Sequence, residues 1–428
     1  MDNYNLAIIG GGPAGYSAAL QAARNGLHVI LFEKDLIGGT CLNRGCVPTK
    51  YFLDFSKRVF DIKNISERGL TVGNVLIDYE KTQSEKNALV SKLRINLEQF
   101  IKSSNITIIN KHCDLISPGL LVAENVQYHA DNILISTGSH ERIINDSYHS
   151  SDDVLSLRDI PHKVNIIGGG VIAVEFAAFF AMLGVETSIF TRSNRILKKW
   201  DKEVSLAVSQ SLRKKGVSIN YNCDLYNLSF PDDEYTICAI GRIPNSEKTP
   251  LYDVDGYGGI VVDDNYETKT KGIYAVGDVL SGSHMLAHEA IEQGKKVADI
   301  ISLKGRKANS YIVNCIYLDI EVASVGEDEL TLHEKGYDVL VSKINLASNA
   351  RTSISTKERS FIKIVVDKTT HTILGATLVC ERATDIVDEL LLAMNNKLTI
   401  EDLLINTRPH PSYCEILTDL FEETMKKL

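Results

Sequence analysis

Short apolar runs alternate with helical patterns through the first three hundred residues of the chain. Residues 6–9 are apolar, and the glycine-rich stretch 10–15 and an alanine-rich segment ending at Gly26 follow them. A second apolar run, 29–32, ends at Glu33. Short apolar runs bounded by glycine are typical of buried strands, and the longer segment between them predicts a helix. This order of elements predicts the start of a parallel α/β sheet.

The same order of elements returns later in the chain. Residues 164–167 are apolar except for Asn165, glycines fill positions 168–170, and a helical pattern runs to about Leu183 before the strand expected at 187–190. Two copies of one pattern predict two nucleotide-binding domains, with the second inserted into the chain of the first.

The remaining patterns define a long helix and a C-terminal part of a different kind. They are, in order, a helix at 77–102, strands at 133–136 and 272–276, a helix that opens at 285–288, strands at 361–366 and 374–376, and helices at 383–395 and 415–427. From about residue 309 the strands show alternating polarity. The expected fold class is therefore α/β, with two Rossmann-like domains and a C-terminal α+β domain.

Both glycine-rich turns match a dinucleotide-binding fingerprint. In the first, Gly10, Gly12 and Gly15 would allow a tight turn, close approach of the backbone to a pyrophosphate and close helix packing. Glu33, at the end of the next strand, would bind ribose hydroxyls. The matching positions of the second turn are Gly168, Gly170 and Ala173.

Composition narrows the class of protein. The 428 residues are 44% hydrophobic and 24% charged, as in globular proteins, and this length predicts more than one domain. A net charge of −9 without a block of Lys and Arg argues against a nucleic-acid partner. No apolar run is long enough to span a bilayer, and the first residues lack the pattern of a secretory signal. We therefore expect a cytoplasmic protein without a membrane partner.

Two of the eight cysteines, Cys41 and Cys46, lie five positions apart, ahead of a helix-forming run from Tyr51. In a reducing compartment such a close, glycine-flanked pair is compatible with a strained, easily reduced disulfide. A zinc site would need a second pair of ligands at similar spacing, and the other six cysteines show none, so no metal is expected. From the pair alone, redox chemistry and a coincidence of core residues stay open as alternatives.

The stretch 38–50, Gly-Gly-Thr-Cys-Leu-Asn-Arg-Gly-Cys-Val-Pro-Thr-Lys, resembles the active-site signature of the FAD-dependent pyridine-nucleotide disulfide oxidoreductases. The resemblance extends over nearly the whole chain. It implies an FAD domain at 1–145 and 263–306, an NAD(P) domain at 146–262, and an interface domain at 307–428 that joins two subunits into a homodimer. The chain departs from the family between Gly216 and Arg242, where the usual strand meander is shortened.

The resemblance also assigns residues to the two cofactors. Those expected at FAD are Gly10, Gly12, Gly15, Glu33, Gly39, Thr40, Lys50, Gly138, Asp278, Leu286 and Ala287. Those expected at the nicotinamide nucleotide are Gly168, Gly170, Ala173, Glu175, Arg192, Lys198 and Gly241.

The resemblance implies the catalytic roles as well. Cys46 is expected to be the thiolate beside the flavin and Cys41 the thiol that exchanges with substrate. His410 with Glu415 matches the family's acid-base pair, which acts on the cysteines of the other subunit. The family also pairs a lysine near the flavin with a glutamate, and the residues at those positions here are Lys50 and Glu175.

The substrate is expected to be a small disulfide or dithiol. Residues 285–288, Met-Leu-Ala-His, resemble dihydrolipoamide dehydrogenase, and Leu20 stands where glutathione reductases carry an arginine. Lipoamide, carried on a separate protein, is the expected substrate. The alternatives are an NADPH-dependent reductase of another small disulfide and a non-catalytic flavin- and nucleotide-binding subunit.

The nicotinamide preference depends on the residues after the strand 187–190. NAD-dependent relatives have an acid there, whereas this chain has Thr191 and Arg192, with Lys198 nearby. A guanidinium suits the 2'-phosphate of NADP, and Ala173 also matches NADP-using relatives. We therefore expect NADP(H). The alternative is that Thr191 binds the ribose of NAD and Arg192 is a solvated loop charge.

Overall fold

The computed structural model describes residues 3–305, 311–356 and 358–428. The chain forms two compact units, each made of three separate segments. The first unit contains Met1–Phe52, Leu76–Ile160 and Ile237–Ala308, and the second contains Leu53–Val75, Pro161–Thr236 and Asn309–Leu428. The expected domain boundary at 306 and 307 lies outside the described residues, and the boundaries at 145 and 262 stay predictions.

Strands and helices alternate over the first two thirds of the chain. The strands are, in order, β1 (Asn3–Ile9), β2 (Val29–Phe32), β3 (Thr107–Ile109), β4 (Asp114–Ser117), β5 (Leu120–Ala123), β6 (Val126–Ile135), β7 (Ser139–Glu141), β8 (Lys163–Ile167), β9 (Glu186–Phe190), β10 (Ser218–Asn220), β11 (Tyr235–Cys238), β12 (Arg242–Pro244), β13 (Ile273–Ala275), β14 (Val313–Ile316), β15 (Glu321–Gly326), β16 (Val339–Asn345), β17 (Phe361–Asp367) and β18 (Ile373–Cys380).

The α-helices are, in order, α1 (Pro13–Arg24), α2 (Gly39–Arg44), α3 (Cys46–Lys63), α4 (Tyr79–Ser103), α5 (Ser151–Leu155), α6 (Val171–Leu183), α7 (Lys202–Lys214), α8 (Ala287–Ile301), α9 (Glu329–Glu334), α10 (Ala350–Ser355), α11 (Ala383–Asn396), α12 (Ile400–Leu404) and α13 (Ile416–Met425). Short 3-10 turns lie at Ile65–Arg68, Gly277–Val279 and Leu346–Ser348.

The first unit is built on a seven-stranded sheet with the order β3-β2-β1-β6-β5-β4, in which β13 also pairs with β6. β1, β2, β3, β6 and β13 run parallel to one another. Alternate residues of a strand face opposite sides of a sheet, so Leu6 and Ile8 pack with α1 and α8 while Ala7 lies in the core of the other face. β7 and β12 form a separate two-stranded ribbon in this unit.

The second fingerprint lies on a smaller sheet, with the order β10-β9-β8-β11. Residues 221–234, all of them described, join β10 to β11 without a strand of their own, which is the shortened connection expected from the sequence. Glu234, at the end of this connection, accepts a hydrogen bond from Asn165 and forms an ion pair with Lys163 of β8.

The C-terminal part of the second unit is an antiparallel five-stranded sheet with the order β14-β15-β18-β17-β16. Apolar residues of its inner face, such as Ile364 and Leu378, pack against Leu390 of α11 and Phe421 of α13. The expected fold class, with two α/β nucleotide-binding patterns and a C-terminal α+β part, is therefore confirmed.

One expected element differs from the structure in a way that affects the site. The helical run expected from Tyr51 begins at Cys46, as α3, and a six-residue helix, α2, precedes it. The long helix expected at 77–102 is α4, which is capped by the Asp78 carboxylate accepting from Lys81 N at 2.9 Å.

Among the described helices, none combines the length and the hydropathy needed to cross a bilayer.

Candidate active site

Cys41 and Cys46 lie on either side of a break between two helices. Cys41 is inside α2, and Cys46 is the first residue of α3. Their side chains are hydrogen-bonded to each other. A β-carbon on Gly45 would lie 2.9 Å from the Thr40 carbonyl oxygen and 3.2 Å from Cys41 Cα, so only glycine allows the chain to turn back this closely. The sequence thus brings the two sulfurs together by ending one helix at a glycine and starting the next.

The two thiols differ in their electrostatic surroundings. The hydrogen bond to Cys46, followed by burial, raises the pKa of Cys41 above its ordinary value, while the charge of Lys50 acts in the opposite direction. Cys46 lies at the N-terminus of the 18-residue helix α3, where the partial positive charge of the helix favours an anion. When the pair loses one proton, this asymmetry leaves the proton on Cys41 and the charge on Cys46.

Tyr16 of α1 is a site residue that the sequence did not single out. Burial raises the pKa of its hydroxyl first, and the negative charges of Cys41 and then Cys46 add to the effect. The hydroxyl group is therefore close enough to respond to both sulfurs. The only sequence signal was its place directly after Gly15, in the glycine-rich turn.

The first glycine-rich turn has the geometry expected of a dinucleotide site. Gly10 has a φ of +104°, and a β-carbon on Gly15 would lie 1.9 Å from the Gly10 carbonyl oxygen. Helix α1 therefore packs directly on the turn, with Gly12 at its N-cap. Glu33 is 8% exposed, and its carboxylate accepts from Gly11 N at 2.7 Å. Burial raises the pKa of Glu33, and each carboxylate oxygen keeps a lone pair for a further donor.

Helix α2, called the redox helix here because it carries Cys41, begins at the first glycine-rich turn. A β-carbon on Gly39 would lie 2.7 Å from Gly12 Cα, so the start of α2 contacts the turn. Thr40, the second residue of α2, follows Gly39 directly and therefore lies next to the glycine-rich turn. The structure thus brings the nucleotide turn and the cysteine pair together, as the sequence predicts.

The other residues expected at FAD lie at the ends of elements in the first unit. Gly138, between β6 and β7, has a φ of +72°. Asp278, in the 3-10 turn after β13, accepts a hydrogen bond from Ser139 at 2.7 Å. Leu286 is the N-cap of α8 and Ala287 its first residue, which is the helix start that the sequence predicts.

The second turn repeats the geometry of the first. Gly168 has a φ of +129°, Gly170 is the N-cap of α6, and Ala173 is fully buried within that helix. Gly241, expected at the same nucleotide, lies between β11 and β12 with a φ of +120°. The backbone requirements of a second dinucleotide site are therefore met around α6.

Glu175 is buried on α6 with 4% exposure and accepts a hydrogen bond from Tyr317 N at 2.9 Å. A backbone donor thus holds one carboxylate oxygen of Glu175. Lys50 belongs to the first unit and Glu175 to the second, and their expected pairing stays a prediction.

The loop after β9 carries the two cations expected at a nucleotide phosphate. Arg192 and Lys198 are both exposed. Arg195, which the sequence analysis did not consider, shapes the loop by donating to the carbonyl oxygens of Lys198 at 2.7 Å and of Trp200 at 2.9 Å. Thr191 is buried, and its hydroxyl oxygen accepts from Ser193 N at 3.3 Å.

The acid-base candidates form a hydrogen-bonded pair at the start of α13. His410 Nδ1 lies 2.8 Å from Glu415 Oε2, and the His410 side chain is 76% exposed whereas that of Glu415 is 21% exposed. Because Nδ1–H donates to the carboxylate, Nε2 is left as the nitrogen that takes up or gives a proton. The structure therefore joins the two residues that the sequence paired.

Sequence reasoning missed two further residues of this region, one that contacts the pair and one that lies just before it in the chain. Asn349 is 4% exposed, and its amide nitrogen donates to Glu415 Oε1 at 3.3 Å and to the Ser412 carbonyl oxygen at 3.1 Å. Arg408, two positions before His410, has a side chain that is only 2% exposed and that forms an ion pair with Glu389.

Comparison with known proteins places this geometry in a family. Residues 4–294 match the family model described as pyridine nucleotide-disulphide oxidoreductase, and residues 312–421 match its dimerisation domain. The chain belongs to the pyridine nucleotide-disulphide oxidoreductase family. It is therefore an oxidoreductase that acts on sulfur groups, a flavoprotein, and a homodimer.

Relatives in this family are similar to the chain over nearly its whole length. A dihydrolipoyl dehydrogenase from Mycoplasma genitalium is 32% identical, over 99% of both chains, and one from Bacillus subtilis is 30% identical, over 97% of this chain and 95% of the other. Among solved structures, the HOCl-induced flavoprotein disulfide reductase RclA from Escherichia coli has a TM-score of 0.86 at 26% identity and covers 98% of this chain and 99% of its own. LpdA from Mycobacterium tuberculosis, at 22% identity, has a TM-score of 0.90 over 99% of this chain and 100% of its own, and shows the same fold.

The first turn fits the FAD that this family binds. A turn without β-carbons at Gly10 and Gly12, a helix N-terminus behind it and the buried Glu33 carboxylate provide donors for a pyrophosphate and an acceptor for ribose hydroxyls. Bound FAD supplies the transfer of two electrons between a nicotinamide nucleotide and a disulfide.

Proposed function

We propose that the protein is a dihydrolipoyl dehydrogenase, which exchanges electrons between a nicotinamide nucleotide and a lipoyl group through the Cys41–Cys46 pair. The hydrogen-bonded contact between these two thiols, at a helix break beside the first nucleotide turn, is the observation that carries the proposal. Full-length similarity to several dihydrolipoyl dehydrogenases supports the choice of substrate.

Each thiol has one role in this proposal. Cys46, at the N-terminus of α3, carries the negative charge next to the flavin, and Cys41, which keeps its proton longer, forms the mixed disulfide with substrate. Lys50 lowers the cost of negative charge at this site. We assign the flavin contacts to Gly39, Thr40, Gly138, Asp278, Leu286 and Ala287, with the first glycine-rich turn and Glu33.

His410 is the general acid-base group. Exchange between a thiol and a disulfide requires a thiolate, so a base must take the proton of the interchange thiol. His410 Nε2 takes this proton, and Glu415 fixes the imidazole through Nδ1. We propose that His410 acts on Cys41 of the partner subunit, and the matched dimerisation domain, residues 312–421, contains both His410 and Glu415.

The apolar residue at position 20 supports lipoamide over glutathione disulfide as the substrate. Leu20 of α1 is a partly buried apolar residue packed against the core of the first unit, so it cannot bind the carboxylates of glutathione. A lipoyl group is apolar and needs no such cation. We place this group on a separate carrier protein and the enzyme in the cytoplasm, as the sequence predicts.

We propose that the nicotinamide nucleotide is NADP(H). The exposed Arg192 and Lys198 follow β9 where a 2'-phosphate is bound in this fold, and no acidic residue takes that position. Thr191 is buried and its hydroxyl oxygen accepts from Ser193 N at 3.3 Å, so it is less available to the ribose of NAD than an exposed side chain. The names of the relatives do not distinguish the two nucleotides.

A side-by-side assay tests the proposal. The purified flavoprotein is assayed with lipoamide, glutathione disulfide and coenzyme A disulfide, each with NADH and with NADPH. We expect the highest kcat/KM for lipoamide and NADPH. A higher kcat/KM for NADH refutes the nucleotide assignment, and turnover of glutathione disulfide above that of lipoamide refutes the substrate.

A second candidate is an NADPH-dependent reductase of another small disulfide. The observation that favours it is the likeness, at 26% identity, to a solved flavoprotein disulfide reductase, together with the two loop cations. In that case the same assay gives slow turnover with lipoamide and NADPH-dependent reduction of a different disulfide.

A further inference from the structure

Five charged side chains from separate elements meet at the C-terminal end of the redox helix α2. Arg44, the last residue of α2, forms ion pairs with Asp35 and with Asp152 of α5, and its Nε lies 3.7 Å from Asp152 Oδ2. Asp152 contacts Glu141 of β7. Arg242 of β12 holds Glu141 with an Nη1–Oε1 distance of 2.8 Å. A chain of contacts therefore runs from the redox helix to the β7–β12 ribbon.

The contact between Asp152 and Glu141 requires a proton. Within the described chain, Asp152 Oδ1 is buried and has no hydrogen-bond donor. Two ionised carboxylates in contact repel each other, whereas one shared proton makes a hydrogen bond between them. Burial, followed by the charge and the hydrogen bond of Glu141, raises the pKa of Asp152 to about 7. Burial acts to raise the pKa of Glu141, but the pKa is lowered because the charge of Arg242, a backbone hydrogen bond and the hydrogen bonds of Arg242 and Asp152 together outweigh burial. Asp152 therefore holds the proton.

The other charged groups nearby are already engaged elsewhere. Asp153, the neighbour of Asp152 in α5, is held in a capping box with Ser150. Arg94 of α4 donates to Asn43 of α2 at 3.4 Å. Arg44 is therefore the cation that connects the acid pair to the redox helix.

Arg44 lies between Cys41 and Cys46 in the sequence, and the chain is tightly packed at the helix break that follows it, at Gly45. Gly45 follows Arg44 directly and is packed against Cys41 Cα and the Thr40 carbonyl oxygen. Arg44 is thus one residue from the helix break that brings Cys41 and Cys46 together.

We propose that Asp152 is a positioning residue for the Cys41–Cys46 pair, because it shares a proton with Glu141 and transmits the protonation of this acid pair to the redox helix through Arg44. With the proton present, Asp152 is neutral and Arg44 is held mainly by Asp35. When the proton leaves, Asp152 becomes a full carboxylate and draws Arg44 away from Asp35. This inference rests on the proposed role of Cys41 and Cys46 as the redox pair.

The linkage changes an equilibrium and adds no chemical step. Reduction of the Cys41–Cys46 disulfide breaks one S–S bond, accepts two electrons and binds one proton at Cys41, while Cys46 is left as the thiolate. In the test below, dithiothreitol supplies the electrons and its two thiols form a disulfide. The Asp152 proton is not consumed. If its loss changes the ratio of dithiol to disulfide by some factor, reduction must change the proton affinity of Asp152 by the same factor.

The test measures this ratio in the FAD-loaded homodimer at a series of pH values on both sides of neutrality. Wild type and Asp152→Asn are equilibrated in a fixed mixture of reduced and oxidised dithiothreitol, the free thiols are alkylated, and the ratio is read by mass spectrometry. The amide side chain of the variant is neutral at every pH and can still donate to Glu141. Dividing the wild-type ratio by the variant ratio removes the pH dependence of the buffer and of the thiols. We expect this quotient to change by about fivefold across neutral pH, the lower end of measured couplings between sites.

Two variants separate the linkage from a structural role. Asp35→Asn, which removes the other carboxylate from Arg44, is expected to keep the pH-dependent change, whereas Arg44→Gln is expected to abolish it. A quotient that is constant with pH overturns the proposal. If no Cys41–Cys46 disulfide is detected at any pH, the proposed function itself is refuted, which is a distinguishable result.

A measurement on the wild type alone covers the case in which Asp152→Asn does not fold. The infrared band of a protonated carboxyl group is expected to titrate near neutral pH, with a midpoint that differs between the disulfide and dithiol forms. An identical midpoint in both forms, or the absence of such a band below neutral pH, also overturns the proposal.

Discussion

Replacing Cys41 or Cys46 with serine is expected to abolish disulfide turnover and to leave FAD bound. In the proposed site the turn around Gly10 and Gly12 holds the flavin, and the groups packed closest around this turn do not include the two sulfurs, so their removal leaves the turn intact. Absorbance of bound FAD and steady-state turnover with lipoamide are the measurements. Cys223→Ser, which changes a half-buried thiol elsewhere, is the matched control and should keep full activity. One tenth of wild-type turnover in either active-site variant is incompatible with a dithiol relay.

His410→Ala is expected to lower turnover by about 100-fold, the usual effect of removing a general acid-base group. Reduction of the flavin by the nicotinamide nucleotide should persist, because it does not use this proton. The control is His371→Ala, since His371 forms the same kind of Nδ1–carboxylate pair with Glu401, at 2.5 Å. Equal losses in both variants, measured by stopped-flow reduction and by turnover, contradict the role of His410.

Arg192→Ala is expected to weaken binding of NADPH by about 10- to 150-fold, since a charge-assisted contact contributes about 1.5 to 3 kcal/mol. NADH lacks the 2'-phosphate, so its KM should not change. Lys199→Ala, which removes a neighbouring exposed charge, is the control. An unchanged KM for NADPH in Arg192→Ala shows that the phosphate lies elsewhere.

At the scale of residues, sequence patterns identified the groups that belong to short motifs. Cys41 and Cys46 lie five positions apart in one short stretch, and His410 and Glu415 lie five positions apart in another. Asn349 could not be found in this way, because its contact with Glu415 joins positions 66 apart and depends on the packing of α10 against the start of α13. Such contacts exist only after the chain has folded.

Arg408 connects two helices of the C-terminal part. Its guanidinium forms an ion pair with Glu389 of α11, donates to Thr418 of α13 at 2.8 Å, and lies 5.3 Å from the ring centre of Phe421. We expect Arg408→Met to lower the free energy of unfolding by about 3 kcal/mol, because one partner of a buried ion pair is lost.

Denaturant unfolding of the FAD-loaded dimer measures this effect. The control is Arg58→Met, which removes an exposed ion pair with Asp54 and should cost less than about 0.5 kcal/mol. Similar denaturant midpoints for Arg408→Met and wild type would contradict the stabilising role of the Arg408–Glu389 ion pair.

At the scale of elements, the apolar runs located the strands of both nucleotide turns, and helix ends were less predictable. The sequence placed the start of α3 at Tyr51, whereas the helix begins at Cys46. Pro48 was an available signal, because proline is tolerated in the first turn of a helix. The short helix α2 has six residues and no apolar periodicity, so only its packing against the glycine turn explains it.

At the scale of the whole molecule, we expect each active site to draw on both subunits. Mixing His410→Ala with Cys41→Ser subunits should restore activity, because one of the two sites in the hybrid dimer then has both wild-type groups. The exposed His410 side chain on the dimerisation domain agrees with this arrangement. Native mass spectrometry must show heterodimers in the sample. Heterodimers without restored activity would mean that each subunit uses its own histidine.

The discontinuity of the first unit sets the order in which it is completed during synthesis. β13 pairs with β6 at the edge of the parallel strands, and α8 packs on α1, yet both are translated after the whole of β8 to β12. A nascent chain that stops before Ile273 therefore exposes an unpaired edge of β6 and an apolar face of α1, both of which favour aggregation. About the first three hundred residues must leave the ribosome before the sheet of the first unit and helix α8 are complete. We therefore expect the chain to bind FAD late during its synthesis.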